Sequence, residues 1–517
     1  MEIGKDTSGI NVSPWFKNID RPEYPQLNQD VTTEVCIVGA GISGLTTAYR
    51  LICEGKSVIV IDDGKIASGE SGRTTAHLTN ILDDRYYVIE QMHGEDVARL
   101  AAQSHAAAIR FIEETSQKEK IDCEFLRVNG YLFLDKETSI ENLKKELDTT
   151  QKLGLSPQLL TVPPENTFNM GTSIMFPEQA QFHPMKYLEQ LAKIIVAKGG
   201  KIFENTHAKK FEKGKPVRIY TNTGATITAD NLVVATNVPV NNRVIIHTKQ
   251  GANRTYAIAS LIPKNSLQTA LYWDTANPYH YVRIHSGNYE HNNEPCDLLI
   301  TGGEDHRTGK PPHSYEECFN RVETWTKEFF PQAIKIVDHW SGQIIEPIDY
   351  LAFIGHNPLD EENCFIATGD SGNGLTHGTI AGILISDLIL NKKNEWKNVF
   401  EPSRKSLKAW KNFTRINLLS VLTYLKYFTP ENISDVDKIK SGEGAVIRRG
   451  ISKVAAYRDS NGVLHECSAI CPHLKSIVRW NSSEKTWDCP AHGSRFTGEG
   501  EVINGPSNYS LHKIKKD

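Results

Sequence analysis

The sequence predicts two unlike folds in one chain, an α/β domain with an inserted mixed-sheet part and a small all-β domain after it. A βαβ unit near the start supports the first, with strand VTTEVCIVG, a helix over about 42–54 and strand SVIVID. A strand-rich, irregular stretch over 241–340 indicates the insertion. Beyond about 433 the chain changes to short strands with Gly and Asn turns, which is typical of an all-β domain.

The length of 517 residues also requires more than one core. We expect residues 1–30 to be a polar extension whose prolines prevent a long helix. The α/β domain would cover 31–395, amphipathic helices would connect over 396–432, and the all-β domain would cover 433–517.

Composition excludes several classes of protein. Lys+Arg at 58 nearly balances Asp+Glu at 62, so bulk charge favours neither nucleic acid nor an anionic membrane as a partner. The start lacks the pattern of a signal peptide, and the longest late apolar stretch, 416–425, is too short to span a bilayer. Nine cysteines, an odd number in a large chain, argue against a secreted disulfide scaffold. We therefore expect a cytoplasmic protein.

Two short Cys/His arms near the end are the most specific chemical signal. Cys471-Pro-His473 is followed by fifteen residues and then by Cys489-Pro-Ala-His492. A zinc site with two Cys and two His ligands is one interpretation. Zinc fingers, however, place a Cys pair on one arm and a His pair on the other. One Cys and one His on each arm suit a [2Fe–2S] cluster with two thiolates on one iron and two imidazoles on the other.

The surrounding segment, CPHLKSIVRWNSSEKTWDCPAHGSRFTGEGEVINGPS, closely resembles the Rieske signature. Respiratory Rieske proteins join the two arms by a disulfide, but the matching positions here are Ser476 and Ala491. The resemblance implies that Ser494 donates a hydrogen bond to a bridging sulfide. Phe496 replaces the Tyr of high-potential members, which predicts a lower potential. Cys467 is off the motif and is more simply a buried strand residue.

A glycine triplet predicts a dinucleotide site at the first βα turn. Gly39, Gly41 and Gly44 follow the first strand and open a helix, with Ser43 between the last two. Asp62 ends the next strand eighteen residues after Gly44, where a carboxylate would bind the ribose hydroxyls. An acidic residue here favours FAD or NAD over NADP.

Further segments resemble the D-amino-acid oxidase/glycine oxidase superfamily and so select a Rossmann-like FAD-binding domain. They are SGESGRTTAHLT, AQFHPMKYLEQLAKIIVAKGGKIFENTHAKKF, ADNLVVATN and CFIATGDSGNGLTHGTIAG. The resemblance implies that FAD contacts are made by Ser71, Gly72, Arg73, Thr74, Ala208, Thr236, Gly369, Asp370, Gly374, Leu375 and Thr376. The FAD part would comprise about 31–84, 175–240 and 340–395, and the substrate part about 85–174 and 241–339.

The electron donor is expected to be a small organic molecule. A second Gly-rich nicotinamide fingerprint is missing from 140–340 of the sequence. The resemblance implies oxidation of an amine or amino acid at a C–N bond, with Tyr256, Tyr281 and Arg283 as candidate catalytic residues. Arg254 is a further candidate carboxylate anchor, although for each Arg a structural ion pair is the commoner role.

Three functions remain open from the sequence. The first passes electrons from FAD through the Rieske cluster to an external acceptor. The second is an amine oxidase that uses O₂ and carries a structural or regulatory cluster. The third is a redox sensor or an NADH-driven reductase. A Rieske oxygenase is disfavoured, since no separate domain with two His and one carboxylate remains for a mononuclear iron.

Overall fold

The first sheet has a parallel centre and forms the floor of the molecule's main cleft. The structure, a computed structural model, describes residues 2–165, 167–241, 245–427, 429 and 435–514. The strands of this sheet are β1 Val31–Val38, β2 Val58–Ile61, β7 Lys201–Phe203, β8 Ala208–Glu212, β9 Val217–Thr221, β10 Thr226–Val234, β16 Phe353–His356 and β17 Cys364–Thr368. The strand order is β16-β17-β10-β1-β2-β7, with β9 antiparallel to β10 and β8 antiparallel to β9.

The second sheet is mixed and roofs the cleft. Its strands are β3 His77–Leu78, β4 Leu126–Phe133, β5 Gln158–Leu160, β6 Ser173–Gln181, β11 Gln250–Pro263, β12 Leu271–Asp274, β13 Tyr281–His291, β14 Glu294–Arg307 and β15 Lys335–Pro347. Their order is β15-β11-β14-β13-β12-β4-β6-β3, with β5 pairing β6. Strand β6 and the end of β15 thus join this sheet, although 175–181 and 340–347 were expected in the FAD part.

Helices cover the first sheet and the outer side of the second. They are α1 Ile42–Cys53, α2 Tyr86–His93, α3 Glu95–Lys118, α4 Ile140–Lys152, α5 Pro184–Ala197, α6 Tyr315–Phe329, α7 Gly374–Ile389, α8 Lys397–Phe400 and α9 Trp410–Val421. Helix α7 is buried through most of its length and packs on α1. A Cβ at Gly382 would lie 2.3 Å from Thr46 Cγ2, so only glycine permits this approach. The approach brings the N-termini of both helices to one cleft.

The C-terminal part is all β, as expected. It contains β18 Glu443–Arg449, β19 Ser452–Arg458 and β20 Leu464–Ser468 in one sheet, and β21 Arg479–Asn481, β22 Thr486–Asp488, β23 Arg495–Thr497 and β24 Val502–Asn504 in another. The expected boundary at 432/433 lies outside the described residues. The predicted fold class, an α/β domain with an inserted mixed sheet and a small all-β domain, is confirmed.

The N-terminal extension is packed between the two parts of the chain. Trp15 and Phe16 are buried, and Asn11 Nδ2 donates to the Ser483 carbonyl of the all-β part. Glu484 of the same loop is buried and forms an ion pair with Arg73. The extension and this ion pair therefore hold the all-β part against the cleft.

Candidate active site and metal centre

The βα turn at the end of β1 exposes backbone toward the cleft. Gly39 has φ +110°, and a Cβ there would lie 2.4 Å from the Ala235 carbonyl oxygen. A Cβ at Gly41 would lie 2.9 Å from Ser71 Oγ, and one at Gly44 would meet the Gly39 carbonyl oxygen at 1.9 Å. Larger residues would open the turn, so the glycines keep the α1 N-terminus accessible to a pyrophosphate.

Asp62 lies at the end of β2 beside this turn. Its carboxylate accepts hydrogen bonds from the backbone N–H groups of Ala40 at 2.6 Å and Gly64 at 2.9 Å. Burial, reinforced by the neighbouring Asp63, raises the pKa of Asp62 to about 7. A ribose hydroxyl donating to this carboxylate would stabilise its ionised form. The turn and the carboxylate fit the adenosine and pyrophosphate part of FAD.

The far end of the cleft is formed by the N-terminus of α7. Asp370 accepts from the backbone N–H of Ile345 at 2.8 Å, and Gly374 begins the helix. The positive end of the α7 dipole faces the cleft, where it would stabilise negative charge on a reduced flavin ring.

Most of the expected FAD contacts lie along this cleft. Its walls include Gly39, Gly41, Ser43, Asp62, Ser71, Arg73, Thr74, Ala208, Thr236, Asp370, Gly374 and Leu375. Four expected residues lie behind the wall: Gly44, Gly72, Gly369 and Thr376. Gly44 supports Gly39, Gly72 packs on Phe16, and Gly369 packs on Pro347. Thr376 Oγ1 instead forms a 2.7 Å hydrogen bond with His105 Nδ1.

The three candidate catalytic residues are not brought together. Tyr281 lines the cleft, with its hydroxyl 2.8 Å from Thr255 Oγ1. Tyr256 lies on the opposite face of β11, where its hydroxyl contacts His306 Nε2 at 2.8 Å. The expectation that Tyr256 contacts substrate is therefore wrong, because side chains alternate along a strand and its neighbour Thr255 faces the cleft.

Arg283 is also outside the cleft, and its proposed role as a carboxylate anchor is corrected. It donates to Gln181 Oε1 and to the carbonyl oxygens of Thr75, Ala76 and Phe182. Its guanidinium also covers the ring of Trp15, 4.9 Å from the centroid. Arg283 thus has a structural role and holds these segments together.

Arg254 and Arg73 are occupied in the same way. Arg254 donates to Ser341 Oγ at 2.9 Å, and Arg73 donates to the Ser341 carbonyl oxygen at 2.6 Å. Both guanidinium groups also lie beside the buried carboxylate of Glu484. Arg254 is fully buried and does not line the cleft, and Arg73 is held by its partners, so neither is placed to anchor a substrate carboxylate.

Sequence reasoning missed a carboxylate-lined chamber that opens from the cleft beside Tyr279. Its acidic lining is Asp83, Asp84, Glu146, Asp305 and Glu346. Asp83 accepts from the Tyr279 hydroxyl at 2.6 Å. Burial raises the pKa of Asp83 to about 6, and burial with repulsion from Glu346 and Asp83 raises that of Asp305 to about 8. The Asp-Asp pair at 83–84 was a possible signal, but the other members come from distant elements.

The two Cys/His arms meet in the all-β part. Cys471 and Cys489 are buried and are not joined by a disulfide. The two sulfur atoms lie side by side, since the Cys471 thiol donates a hydrogen bond to Cys489 that lowers the pKa of Cys489. The rings of His473 and His492 lie 5.1 Å apart, and the buried Nδ1 of His492 has no hydrogen-bond partner. Two adjacent thiols and an orphaned imidazole nitrogen fit a [2Fe–2S] cluster.

The histidine side of this centre faces the cleft-forming part of the chain. The ring of His247, just before β11, packs edge-on against His473 with the centroids 4.8 Å apart. Arg307 at the end of β14 donates to the carbonyl oxygens of Pro490 and Ala491, each at 3.0 Å. Sequence reasoning missed both residues, since neither lies in a recognisable motif. They fix the metal centre on the domain that contains the cleft.

The comparison with protein families decides between the interpretations. The FAD dependent oxidoreductase model matches residues 34–388, and the Rieske [2Fe-2S] domain model matches residues 430–515. The chain belongs to the FAD-dependent oxidoreductase family. Its cofactors are FAD and a Rieske [2Fe–2S] cluster, so both cofactor predictions are confirmed.

Relatives share one or both parts of this architecture. A putative Rieske 2Fe-2S iron-sulfur protein, YhfW of Bacillus subtilis, is 31% identical over 518 residues, 97% of each chain. The gamma-glutamylputrescine oxidoreductase of Escherichia coli is 25% identical over 71% of this chain and 85% of its own. Glycine oxidase from Geobacillus kaustophilus superposes with a TM-score of 0.60 at 20% identity, covering 72% of this chain and 99% of that one.

L-amino acid deaminase from Proteus vulgaris has the same fold, with a TM-score of 0.58 at 17% identity over 75% of this chain and all of its own. Within the described residues, no helix combines the length and apolar character needed to cross a membrane.

Proposed function

We propose that this oxidoreductase oxidises a small cationic amine at a C–N bond and passes the electrons from FAD through the Rieske cluster to an external acceptor. When bound, FAD accepts two electrons with a hydride, and the cluster carries one electron at a time. The observation that supports an amine is the carboxylate-lined chamber beside the flavin cleft.

The charge of the chamber favours a cationic substrate. The carboxyl groups of the chamber lie close enough to repel one another. Besides burial, repulsion from Asp83 contributes to the raised pKa values of three of them, Asp84, Asp305 and Glu346. A carboxylate entering this chamber would be repelled, whereas an ammonium group would neutralise part of the cluster. The Oδ1 atom of Asp305 is buried without a hydrogen-bond partner, so it can accept from a substrate N–H.

Asp305 is also suited to hold a proton. Its pKa, raised to about 8, lies near neutrality, and an arriving cation would lower it by stabilising the ionised carboxylate. Amine oxidation requires a neutral amine, so a carboxylate near the cleft can take the ammonium proton before C–H cleavage.

An amino-acid substrate is the second candidate, and Arg85 is the observation that favours it. Arg85 lines the same chamber and donates through Nη2 to the Asp274 carbonyl oxygen at 2.9 Å. Its buried Nη1 has no hydrogen-bond partner. It is the cation in the chamber that could meet a substrate carboxylate, although Asp83, Asp84 and Glu146 surround it.

The names of the relatives support both substrate classes. One relative is a gamma-glutamylputrescine oxidoreductase, and the structural neighbours include a glycine oxidase and an L-amino acid deaminase. Electron transfer from FAD to the cluster is supported by a direct contact between the two sites. The cluster loop 489–493 accepts a hydrogen bond from Gln343, a residue of the flavin cleft.

Anaerobic mixing tests the proposal directly. The holoenzyme is mixed with 1,4-diaminobutane, with 1-aminobutane and with neutral α-amino acids, and loss of flavin absorbance is followed in a stopped-flow instrument. The proposal expects the diamine to reduce the flavin fastest, followed by appearance of the reduced-cluster signal. Reduction by α-amino acids alone would support the Arg85 alternative. Flavin reduction without cluster reduction, with rapid reoxidation by O₂, would support the oxidase.

A further inference from the structure

Helix α9 and the turn after it carry an exposed apolar surface. Of the sixteen large apolar side chains that are exposed in the described part of the chain, six lie within 410–425. We name these six the α9 stripe: Trp410, Phe413, Leu418, Val421, Leu422 and Leu425. Trp410 is 62% exposed, Val421 60% and Leu425 57%. Trp410 and Val421, eleven residues apart, lie on one face of α9, and Leu425 follows in the 3-10 turn after the helix.

Other residues of α9 already pack inside the protein. Ile416 packs on Gly251, where an added Cβ would lie 3.6 Å from Ile416 Cδ1. Asn417 Nδ2 donates to the Thr248 carbonyl oxygen at 2.9 Å. Ser420 is buried and donates to the Ala491 carbonyl oxygen of the cluster loop at 3.2 Å. The helix is therefore fixed in orientation, and the α9 stripe faces outward by construction.

Basic side chains border the α9 stripe. Lys405, Lys408, Lys411 and Arg415 are exposed, and the sequence 402–427 contains no Asp or Glu. The whole chain carries a formal charge of −4, so this positive segment is a local departure from the bulk composition. A helix with Trp, Phe and Leu on one side and Lys and Arg beside them is the pattern of a helix that lies in a membrane interface.

We propose that the α9 stripe and its basic border form a docking surface for an anionic phospholipid bilayer. The apolar side chains would enter the headgroup boundary, and the lysines and arginine would contact lipid phosphates. Charge complementarity selects this occupant over a second copy of the chain, because a two-fold contact would place one basic border against the other. The proposal does not depend on the identity of the substrate.

This surface would bring the bilayer close to the cluster. The hydroxyl of Tyr424 donates to the Leu474 carbonyl oxygen, and Ser476 Oγ donates to Thr423 Oγ1 at 2.8 Å. Both partners belong to the loop between Cys471 and the next strand. The segment that contacts lipid is thus the same segment that covers the cluster loops.

Vesicle sedimentation tests the proposal with the full-length holoprotein. Vesicles of phosphatidylglycerol mixed with phosphatidylcholine are expected to sediment the protein, and vesicles of phosphatidylcholine alone are expected to leave most of it in solution. Rising salt should weaken the binding, since exposed charges are screened. Failure of the wild-type protein to bind anionic vesicles at low salt would overturn the proposal.

Paired variants locate the surface. Val421→Glu with Leu425→Glu should abolish sedimentation, and Lys411→Gln with Arg415→Gln should weaken partitioning about fivefold for each charge removed. Val162→Glu and Lys145→Gln, which change exposed residues elsewhere, should leave binding unchanged. Flavin and cluster absorbance report folding of each variant. Undiminished binding in the Val421→Glu/Leu425→Glu variant would exclude this face.

Size-exclusion chromatography with light scattering tests whether a second copy of the chain occupies this surface instead of a bilayer. A wild-type dimer that becomes monomeric in the Val421→Glu/Leu425→Glu variant, without vesicle binding by either, would replace the bilayer with a second copy. A monomeric wild-type protein that binds anionic vesicles through this face supports the bilayer.

Discussion

The side-chain amide of Gln343 donates a hydrogen bond of 3.0 Å to the carbonyl oxygen of Gly493, directly after the predicted cluster ligand His492. Gln343 also lines the flavin cleft, and its backbone N–H donates to Glu70 at 2.7 Å. A Cβ at Gly493 would lie 2.4 Å from Ala252 Cβ, so the cluster loop can approach β11 this closely only because residue 493 is glycine. One residue thus spans from the wall of the flavin cleft to the cluster loop.

The contact between the two domains should depend on acid pH through Glu484. Burial alone would raise the pKa of Glu484, but Arg73, Arg254 and Arg495 outweigh it and lower the pKa to about 2, from 4.5 when unpaired. Because the folded value is the lower one, the stabilisation is complete above about pH 4.5. It is lost as the pH falls toward 2 and amounts to about 3 kcal/mol. Thermal midpoints measured across this pH range check it.

The variant Glu484→Gln should remove this acid dependence and destabilise the chain by about 3–5 kcal/mol at neutral pH, since buried guanidinium groups lose their counter-charge. Glu328→Gln breaks the exposed ion pair with Lys136 and should cost less than about 1 kcal/mol. Equal effects of the two variants would show that the buried cluster has no special role.

Replacing Gly41 with Val should abolish FAD binding. A Cβ there already approaches Ser71 Oγ at 2.9 Å, and the added methyl groups would occupy the space that the pyrophosphate needs. Flavin released by denaturation and measured by chromatography gives the occupancy, and FAD, not FMN, is expected from the wild type. Iron content serves as the folding control. Full FAD occupancy in the variant would mean that the turn does not contact the pyrophosphate.

The cluster potential should respond to two neighbouring residues. Ser494 Oγ accepts from the Ser507 backbone N–H at 3.0 Å, which leaves its hydroxyl proton for a cluster sulfur. Ser494→Ala should lower the potential by about 40 mV, the equivalent of one hydrogen bond of about 1 kcal/mol in a one-electron couple. Phe496→Tyr should raise it by a similar amount, since Phe496 lacks the hydroxyl of high-potential members. A redox titration followed by EPR measures both.

The EPR spectrum of the reduced protein also tests the ligands. A cluster with two Cys and two His ligands gives a low average g-value, and its potential depends on pH. Cys467→Ala should leave the spectrum unchanged, because Cys467 lies in β20 and is not a predicted ligand. An all-thiolate spectrum, or zinc in place of iron, would contradict the assignment to Cys471, His473, Cys489 and His492.

The parts of the site that the sequence predicted are those encoded locally. The glycine turn with Asp62 and the two cluster arms each lie within one short segment. Arg283 shows why the rest was missed: it lies two residues from Tyr281 on β13, but Trp15 and carbonyl groups from other segments cover it. The chamber gathers Asp83, Asp305 and further carboxylates from distant elements. Such groupings depend on tertiary packing, which no local pattern contains.

Removing the charge of Asp305 should impair amine oxidation. Asp305→Asn is expected to lower kcat/KM for the best amine about 10- to 100-fold, the loss of one charge-assisted hydrogen bond. In the wild type, kcat/KM should rise with pH as Asp305 ionises near its raised pKa of about 8. This limb should disappear in the variant. Glu328→Gln, which removes a carboxylate that pairs with Lys136 and does not line the chamber, is the control. An unchanged pH profile in Asp305→Asn would exclude Asp305 as the proton acceptor.

Loss of the cluster should separate flavin reduction from turnover. His492→Ala removes a cluster ligand, and the Nδ1 atom that it removes makes no hydrogen bond in the fold. Substrate should therefore still bleach the flavin at nearly the wild-type rate, because the carboxylate-lined chamber lies in the FAD-dependent oxidoreductase domain and not in the Rieske domain. Turnover with a one-electron acceptor should fall to background, since the reduced flavin loses its one-electron outlet. Stopped-flow bleaching and steady-state acceptor reduction measure the two steps separately.

The control for this experiment is Gln343→Leu, which keeps every cluster ligand but removes the hydrogen bond to Gly493. It should retain the cluster spectrum and slow electron transfer from flavin to cluster without stopping it. Circular dichroism must show that the Rieske domain of His492→Ala remains folded, because a displaced domain would also expose the flavin cleft. If the cluster-free variant turns over normally with O₂ or another acceptor, the cluster is not the exit for substrate electrons. The oxidase with a structural or sensing cluster would then be the correct function.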